Sequence, residues 1–270
     1  MTRLSIIVSF FQRIAHLRCC LAALEMCRHD FHEVIIADDG SEATVVEQVR
    51  RLADTAPFPV RHVWQPKDGF RLSANRNNGI RAASGDQLLF IDCDFVLLPG
   101  AVQAHLAMAR PGRFTAAYCK YLPETPSAKL LHDLPGSSEL EVIYERLESR
   151  PILRAHRKFI WNSLLIRLGL APPRKLRCSS HFSISRKDME KINGYDEQFR
   201  GWGGEDEDLA LRMVLAGYQP SSVIRSARTL HVWHPSELGN VHWSKGSNVT
   251  YLNRSGVTAR CKHGLVSDRT

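Results

Sequence analysis

Four consecutive acids stand out as a chemical device. They sit in Gly201-Trp202-Gly203-Gly204-Glu205-Asp206-Glu207-Asp208-Leu209, directly behind three glycines and a tryptophan. The apolar run that follows, Leu209, Leu211, Met213, Val214, Leu215 and Ala216, has helical spacing and stops at Gly217. Acids in the first turn of a helix complement its free N–H groups and its dipole. Capping therefore accounts for Glu207 and for Asp208, which can pair with Arg212 one turn on. It leaves Gly-Trp-Gly-Gly unexplained, because glycines cost backbone entropy. A flat indole beside Glu205 and Asp206 suits a sugar ring whose hydroxyl is to lose a proton. Three other sets could do chemistry. They are Asp38-Asp39-Gly40-Ser41, Asp92-Cys93-Asp94 and the histidines of Thr229-Leu230-His231-Val232-Trp233-His234-Pro235.

The elements around these sets form an alternating pattern. Leu4 to Phe10 is a nearly continuous apolar run, as in a buried parallel strand. Ile14, Leu17, Leu21 and Leu24 recur at helical spacing. His32 to Ala37 is a second strand and ends in Asp38-Asp39. Ser41 is placed to cap the next helix, through Val45, Val46, Val49 and Leu52. Pro59 to Trp64 is a third strand. Ser73 to Ala83 reads as a helix, and Gln87 to Ile91 as a strand running into Asp92-Cys93-Asp94. Strands alternating with helices predict an open, mostly parallel α/β sheet. Ligands of such sheets bind beyond the carboxyl ends of the strands, where Asp38, Asp39, Asp92 and Asp94 fall. Asp-Asp-Gly-Ser is also turn chemistry, and for this pair alone both readings stand. Alternation turns Asp92 and Asp94 to one side, and hard carboxylate oxygens suit Mn²⁺ or Mg²⁺. Cys93 reads as a small buried filler.

Gly-Trp-Gly-Gly-Glu-Asp resembles the acceptor motif of inverting, metal-dependent glycosyltransferases of the GT-A fold. It is similar to that of the β-1,4-galactosyltransferases, the polypeptide N-acetylgalactosaminyltransferases and chondroitin-polymerase-like enzymes. Strand, Ser9-Phe10, strand, Asp-Asp-Gly-Ser looks like family 2 glycosyltransferases. The resemblance spans Leu4 to about Pro235, apart from the middle segment. It implies a GT-A, Rossmann-like α/β fold with helices flanking the sheet. One domain is expected over 1–270, with a nucleotide-sugar half over 1–115, an acceptor half over 116–235 and a basic tail over 236–270. It implies transfer of a galactose-, N-acetylgalactosamine-, N-acetylglucosamine- or glucose-type sugar from a UDP donor. The acceptor is a hydroxyl of a glycan, glycolipid or polysaccharide. Asp206 is then the base, Glu205 positions the acceptor, and Trp202 with Gly203 and Gly204 binds it. Ser9, Phe10, Asp38, Asp39 and Asp92 fall to the nucleotide. Phe70 is the candidate aromatic under uracil, and Arg71 and Arg76 are candidates near the diphosphate. For Arg76, a solvated helix face is the plain alternative. Mn²⁺ or Mg²⁺ is assigned to Asp94, Asp92 and His231, with His234 the alternative. Strand alternation sets residues 231 and 234 on opposite faces, so one histidine is expected to bind.

Composition sets the bounds. The 270 residues fit one large domain or two small ones, and no apolar run reaches the length of a membrane span. A strand begins at Leu4, so no leader peptide is expected. Seven scattered cysteines without a Cys-x-x-Cys pair indicate neither disulfides nor zinc, and point to a reducing cytosol. The formal charge of +8 favours anionic partners. Between Arg146 and Arg177 nine Lys or Arg stand against one acid, Glu148, with Ile152, Leu153, Phe159, Ile160, Trp161, Leu164, Leu165, Ile166 and Leu168 interleaved. This stretch reads as a helical insertion that lies peripherally on an anionic membrane, covers the acceptor cleft, or simply exposes a basic face. The tail, with His242, Trp243, Lys245 and Lys262, either folds over the diphosphate or stays disordered. Two rival classes are weaker. A nucleotidyltransferase would carry a glycine-rich loop after the first strand, where Ser9-Phe10-Phe11-Gln12-Arg13 has no glycine. A basic binding module would not need acids at four loop ends, so no nucleic-acid partner is expected.

Overall fold

A computed structural model describes residues 2–235, 246 and 248–267. The tail residues His242, Trp243 and Lys245 therefore lie outside the described residues. Strand β1 (Leu4–Phe10) is buried along its whole length. It pairs in parallel with β2 (Glu33–Asp38) on one side and β4 (Gln87–Asp92) on the other. β3 (Val60–Trp64) extends the parallel set beyond β2. Past β4 the direction changes. β8 (Phe182–Ser185) runs antiparallel to β4, β6 (Arg113–Ala116) antiparallel to β8, and β9 (Gln219–Ser222) parallel to β6. The seven-stranded order is β3-β2-β1-β4-β8-β6-β9, so one sheet takes strands from both sides of residue 115. A second, three-stranded sheet has the order β5-β10-β7, from Phe95–Leu97, Thr229–His231 and Lys120–Tyr121.

The period of two in β1 separates two apolar cores. Ile6 and Val8 join Leu17, Leu21 and Leu89 on one face, while Ile7 joins Ile35, Phe90, Phe182 and Leu209 on the other. Each such side chain contributes about 1.5–3 kcal/mol by leaving water. Helices α1 (Ile14–Glu25), α2 (Ala43–Thr55) and α3 (Leu72–Ala82) connect the parallel strands. Ser41 does not cap α2 as expected. The N-cap is Glu42, and Ser41 Oγ instead accepts the Gln12 backbone N–H at 2.9 Å, joining the β1 and β2 ends. In α3 the buried positions are mostly polar, including Asn75, Arg76 and Asn77. Gly79 lets that helix sit close on β1, since a Cβ there would meet Ile7 Cγ2 at 2.6 Å.

Helix α4 (Ala101–Ala107) follows β5. The middle segment is helical as expected, with α5 (Glu124–His132), α6 (Ser137–Arg146) and α7 (Arg150–Arg167). After β8 comes the short α8 (Arg186–Lys191), capped by Ser185 Oγ accepting the Asp188 N–H. Helix α9 (Glu205–Leu215) carries the four acids in its first turn and starts from Gly204, whose φ of 94° is open to glycine at little cost. α10 (Asn248–Leu252) packs beside α9. All seven cysteines are free and buried.

The Asp208–Arg212 pair forms as expected, but buried rather than exposed. Both side chains are 1% accessible, and Arg212 Nε donates to Asp208 Oδ2 at 2.6 Å. Arg212 also donates to the carbonyls of Ile192 and Gly194, so it ties α9 to the Asn193-Gly194 turn. The few tenths of a kcal/mol of an exposed helix pair do not apply here. Removing Arg212 leaves the buried Asp208 with only Arg254 Nη2 among the described residues, 2.9 Å from its other oxygen, against its charge. Arg212→Ala is expected to lose about 3–5 kcal/mol, read from the denaturation midpoint. A loss below about 1 kcal/mol would make the pair equivalent to an exposed one.

Candidate active site

The carboxyl ends of β1 and β4 and the N-terminus of α9 meet at one buried cation. Arg76, from α3, is 1% exposed. Its Nη1 donates to Asp206 Oδ1 at 2.8 Å, its Nη2 to Asp92 Oδ1 at 3.2 Å and its Nε to Ser9 Oγ at 3.1 Å. The hydroxyl of Tyr195 lies 3.4 Å from both Arg76 Nη1 and Asp206 Oδ1. The solvated-face alternative for Arg76 is thus overturned. Its side chain is enclosed by acids and bonded to the two strand ends and α9. Burial works against the charge, yet Asp206, Tyr195 and Asp92 together hold the guanidinium protonated well above the usual arginine range.

The four acids have different surroundings. Glu205 is buried, and its Oε2 accepts no hydrogen bond among the described residues. Burial, and then the Asp206 charge, push its carboxyl up to about 8. Asp206 is pushed up by burial, against the pull of Arg76. Oδ1 of Asp206 faces Arg76 and Tyr195, while no described residue hydrogen-bonds its Oδ2. Glu207 is less open to solvent than a simple helix-capping acid. It is half-buried, and burial raises its carboxyl while the Arg177 charge lowers it. Asp208 is locked to Arg212. The glycines before them adopt positive φ, 87° at Gly201, 89° at Gly203 and 94° at Gly204. Asn248 Nδ2 holds the loop through the Gly201 and Gly203 carbonyls. Trp202 is 40% exposed, so its indole is available at the rim.

The metal-ligand expectation changes in two respects: both histidines join Asp94, and Asp92 does not. Asp94, His231 and His234 converge, with one ligand atom from each lying within 4.8 Å of the others. Alternation fails as an argument here because β10 ends at His231, and the chain beyond it is no longer a strand. The Trp233 N–H is held by Ser127 Oγ at 2.8 Å instead. His234 Nε2 lies 3.1 Å from Asp94 Oδ2, and His231 Nε2 lies 3.8 Å from Asp94 Oδ1. Asp92 stands apart from this group, engaged by Arg76. Burial raises the Asp94 carboxyl, but the His234 hydrogen bond and both imidazoles outweigh it, and the net shift is downward. Asp94 Oδ1 is buried and accepts no hydrogen bond among the described residues. One unspent carboxylate oxygen with two imidazoles fits a divalent cation such as Mn²⁺.

The Asp38-Asp39 pair is already committed within the protein. Asp38 is fully buried, with Oδ2 3.0 Å from His62 Nε2 and Oδ1 accepting the Ser41 N–H at 2.9 Å. Asp39 accepts Gln65 Nε2 at 2.5 Å and the Arg71 N–H at 3.0 Å, with Lys67 Nζ 3.7 Å away. These bonds shape the 65–71 loop, where Phe70 and Arg71 are half-buried. Direct binding of a nucleotide by either carboxylate would compete with them. Arg71 Nη2 is bonded to the Pro66 carbonyl, and the Phe70 carbonyl takes the Gly201 N–H at 2.8 Å. Ser9 and Phe10 end β1 as expected, Ser9 on Arg76 and Phe10 in the core. A hollow beside Trp64 is lined by Ser41, Val46, Arg50 and His62, so it lies against the Asp38 network. Sequence reasoning missed Arg13, whose Nη1 is 3.9 Å from Asp94 Oδ2, and Tyr121, whose ring is 4.8 Å from that of His231. Tyr195 follows the Asn193-Gly194 turn, and a buried Tyr OH needs a partner; Tyr121 carries no such signal.

Residues 5–162, more than half of the chain, match glycosyl transferase family 2. The chain belongs to that family. Residues 174–235 match the N-terminal domain of galactosyltransferase, across the Gly-Trp-Gly-Gly-Glu-Asp loop and both histidines. The chain is 29% identical over 239 residues to validoxylamine A glucosyltransferase of Streptomyces hygroscopicus subsp. jinggangensis, covering 86% of the chain and 56% of that protein. It spans about half or less of the length of the curated relatives it matches. Among solved structures it is similar to the mannosyltransferase PcManGT of Pyrobaculum calidifontis, in complex with GDP-Man and Mn²⁺. That match has a TM-score of 0.56 at 15% identity, over 86% of this chain and 57% of the other. It is also similar to S. aureus TarS 1–349 in complex with UDP-GlcNAc, with TM-score 0.57 at 14% identity over 87% and 60%. The family 2 chain has the GT-A fold that its motifs predict.

Glu205 gives a pH signature with a definite sign. Its folded carboxyl titrates at about 8 against an ordinary 4.5. Its contribution to stability is present below pH 4.5 and is lost as pH rises through 8. Glu205→Gln is therefore expected to flatten the fall in stability between those values. Denaturation midpoints at a series of pH values test this, and an unchanged pH slope would show the carboxyl to be ordinary.

Proposed function

We propose that the chain is a metal-dependent, inverting glycosyltransferase that moves a sugar from a UDP donor to a hydroxyl of a glycan, glycolipid or polysaccharide. The observation that carries this reading is the Arg76 bridge. It places an acid with one free oxygen, Asp206, against the strand end that bears Asp92 and leads to Asp94. A nucleotidyltransferase or a passive basic module gives no reason for a desolvated base beside a Gly-Trp-Gly-Gly rim. Structural neighbours in complex with UDP-GlcNAc and with GDP-Man and Mn²⁺ support a nucleotide-sugar donor and a cation. The two-half division, nucleotide before about residue 115 and acceptor after it, follows the same logic.

In this mechanism Asp206 Oδ2 takes the acceptor proton as the acceptor oxygen bonds to the anomeric carbon. The bond from that carbon to the diphosphate breaks on the opposite face, and the nucleotide leaves. A carboxyl raised by burial is a stronger base than an exposed one. Arg76 and Tyr195 hold Oδ1, which fixes the direction of Oδ2. Glu205, kept neutral near pH 7, can donate a hydrogen bond to the acceptor. Trp202 offers its face to the acceptor ring. Asp94, His231 and His234 would hold the cation, which supplies positive charge against the leaving diphosphate. Asp92 is held by Arg76 and stays apart from these three ligands. Asp39, Phe70 and Arg71 shape the nucleotide loop, and any contact from Asp38 or Asp39 to the base requires the loop to trade bonds.

Removal of the base is the sharpest test. Asp206→Asn is expected to cost ~10²–10⁴-fold in transfer rate with UDP affinity kept, whereas Glu207→Gln costs little. Equal small effects would reduce the cluster to a helix cap. Chelation by EDTA is expected to abolish transfer, and Mn²⁺ to restore it. His231→Ala and His234→Ala should both raise the Mn²⁺ concentration needed for half activity. An unchanged requirement in either variant removes that histidine from the site.

A further inference from the structure

Helix α7 carries an outer face unlike the rest of the surface. Thirteen large apolar or aromatic side chains are exposed among the described residues, and five lie between positions 153 and 170. They are Leu153, Ile160, Trp161, Leu168 and Leu170, with Trp161 60% and Leu170 71% exposed. Leu153 and Ile160 are seven residues apart, as are Trp161 and Leu168, so each pair lies along one stripe of the helix. The inner face is fixed by Ile152 and Phe159 in the core, and by His156 Nδ1 at 2.8 Å from Ser222 Oγ. The apolar stripes therefore cannot turn inward.

Exposed Arg154, Arg157 and Lys158 stand among these stripes. Arg150 has Glu148 3.9 Å away, whereas Arg154, Arg157, Lys158 and Arg167 form no ion pair with a described residue. Beyond α7, the turn Pro173–Lys175 packs on both α7 and α9, and exposed Arg174, Lys175 and Arg177 continue the basic strip. The Arg177 charge reaches Glu207, so the strip ends beside the acid cluster. In water, exposed tryptophan, isoleucine and leucine in one patch are unfavourable. At a bilayer interface the apolar stripes enter the acyl boundary, and the basic heads stay with anionic phosphates. No helix among the described residues is long and apolar enough to cross a membrane, so such a contact lies on the surface.

We propose that the outer face of α7 is a docking surface for an anionic lipid bilayer, with Trp161, Ile160 and Leu168 inserted and Arg154, Arg157 and Lys158 on the headgroups. The inference stands apart from the transfer reading, because α7 supplies none of the acid cluster or of the three metal-ligating side chains. Sedimentation of the full chain with vesicles, without donor or acceptor, tests it. Binding is expected to vesicles of phosphatidylcholine and phosphatidylglycerol at low salt, and not to phosphatidylcholine alone. Replacing Ile160, Trp161 and Leu168 together by serine should weaken binding roughly tenfold or more. Each of Arg154→Ser, Arg157→Ser and Lys158→Ser should weaken it by roughly fivefold. Brominated lipid should quench the chain more than its Trp161→Phe variant. An unchanged thermal midpoint and UDP affinity separate lost docking from lost folding or lost donor binding. Absence of binding at low salt would overturn the proposal, as would full binding by the triple-serine variant. Equal capture by polyaspartate, without quenching, would instead assign the face to an acidic macromolecule.

Discussion

One guanidinium, that of Arg76, determines how the two ends of the site meet. A bare cation so deeply buried is costly, by several kcal/mol even after relaxation. The cost is tolerable only because Asp206 and Asp92 contribute opposite charge, and Ser9 and Tyr195 take its remaining directions. The reverse dependence holds as well. Without the cation, Asp92 and Asp206 would be like charges facing one another in a poorly solvated space. The β1 end, the β4 end and the α9 start are therefore fixed by a shared electrostatic constraint as well as by packing. That explains why α3 buries asparagine and arginine where most helices bury leucine. Asn75 donates to the Ala37 carbonyl and Asn77 to the Tyr195 carbonyl, so two amides tie the polar face of α3 to its neighbours, while Ser73 Oγ and Asn75 Oδ1 are buried without a hydrogen bond among the described residues.

A second constraint works on the other side of Asp92. Asp94 is the last residue before β5, and β10 pairs antiparallel with β5 so that His231 falls opposite Phe95. The Val232 N–H then bonds the Asp94 carbonyl at 2.8 Å. Backbone pairing thus sets the distance between carboxylate and imidazole before either side chain is considered. The small sheet β5-β10-β7 acts as a rigid frame for that group, and Tyr121 of β7 covers the His231 ring.

Much of this was legible in the sequence because it rests on local rules. The buried run Leu4–Phe10, the alternation of strands with helices and the acids at strand ends all follow from periodicity and turn chemistry. The order Gly-Trp-Gly-Gly-Glu-Asp marked α9 and its first turn. What escaped depends on long-range partners. Arg76 sits on a helix whose buried side is polar, so apolar periodicity could not tell its inner face from its outer one. Asp38 and Asp39 look like free ligands until His62, Gln65 and the Arg71 N–H are brought to them from 24, 26 and 32 positions away. His234 was set against His231 by an alternation that holds only inside a strand. Arg13 and Tyr121 carried no pattern at all.

The acid cluster shows how far sequence type underdetermines chemistry. Four carboxylates occupy one helical turn, and the helix dipole treats all of them alike. Their neighbours do not. Glu205 lies where burial outweighs every partner, so its proton is held into the neutral range. Asp206 meets a cation on one oxygen and leaves the other uncommitted. Glu207 sits half out, with Arg177 nearby. Asp208 is sealed against Arg212, with Arg254 2.9 Å from its other oxygen. Successive residues of a helix point 100° apart, so each step turns one carboxylate toward a different environment. A buried neutral carboxyl, a carboxylate with one oxygen uncommitted, a half-buried acid and a structural strut thus arise from four adjacent acids, each set by the burial and partners its direction meets.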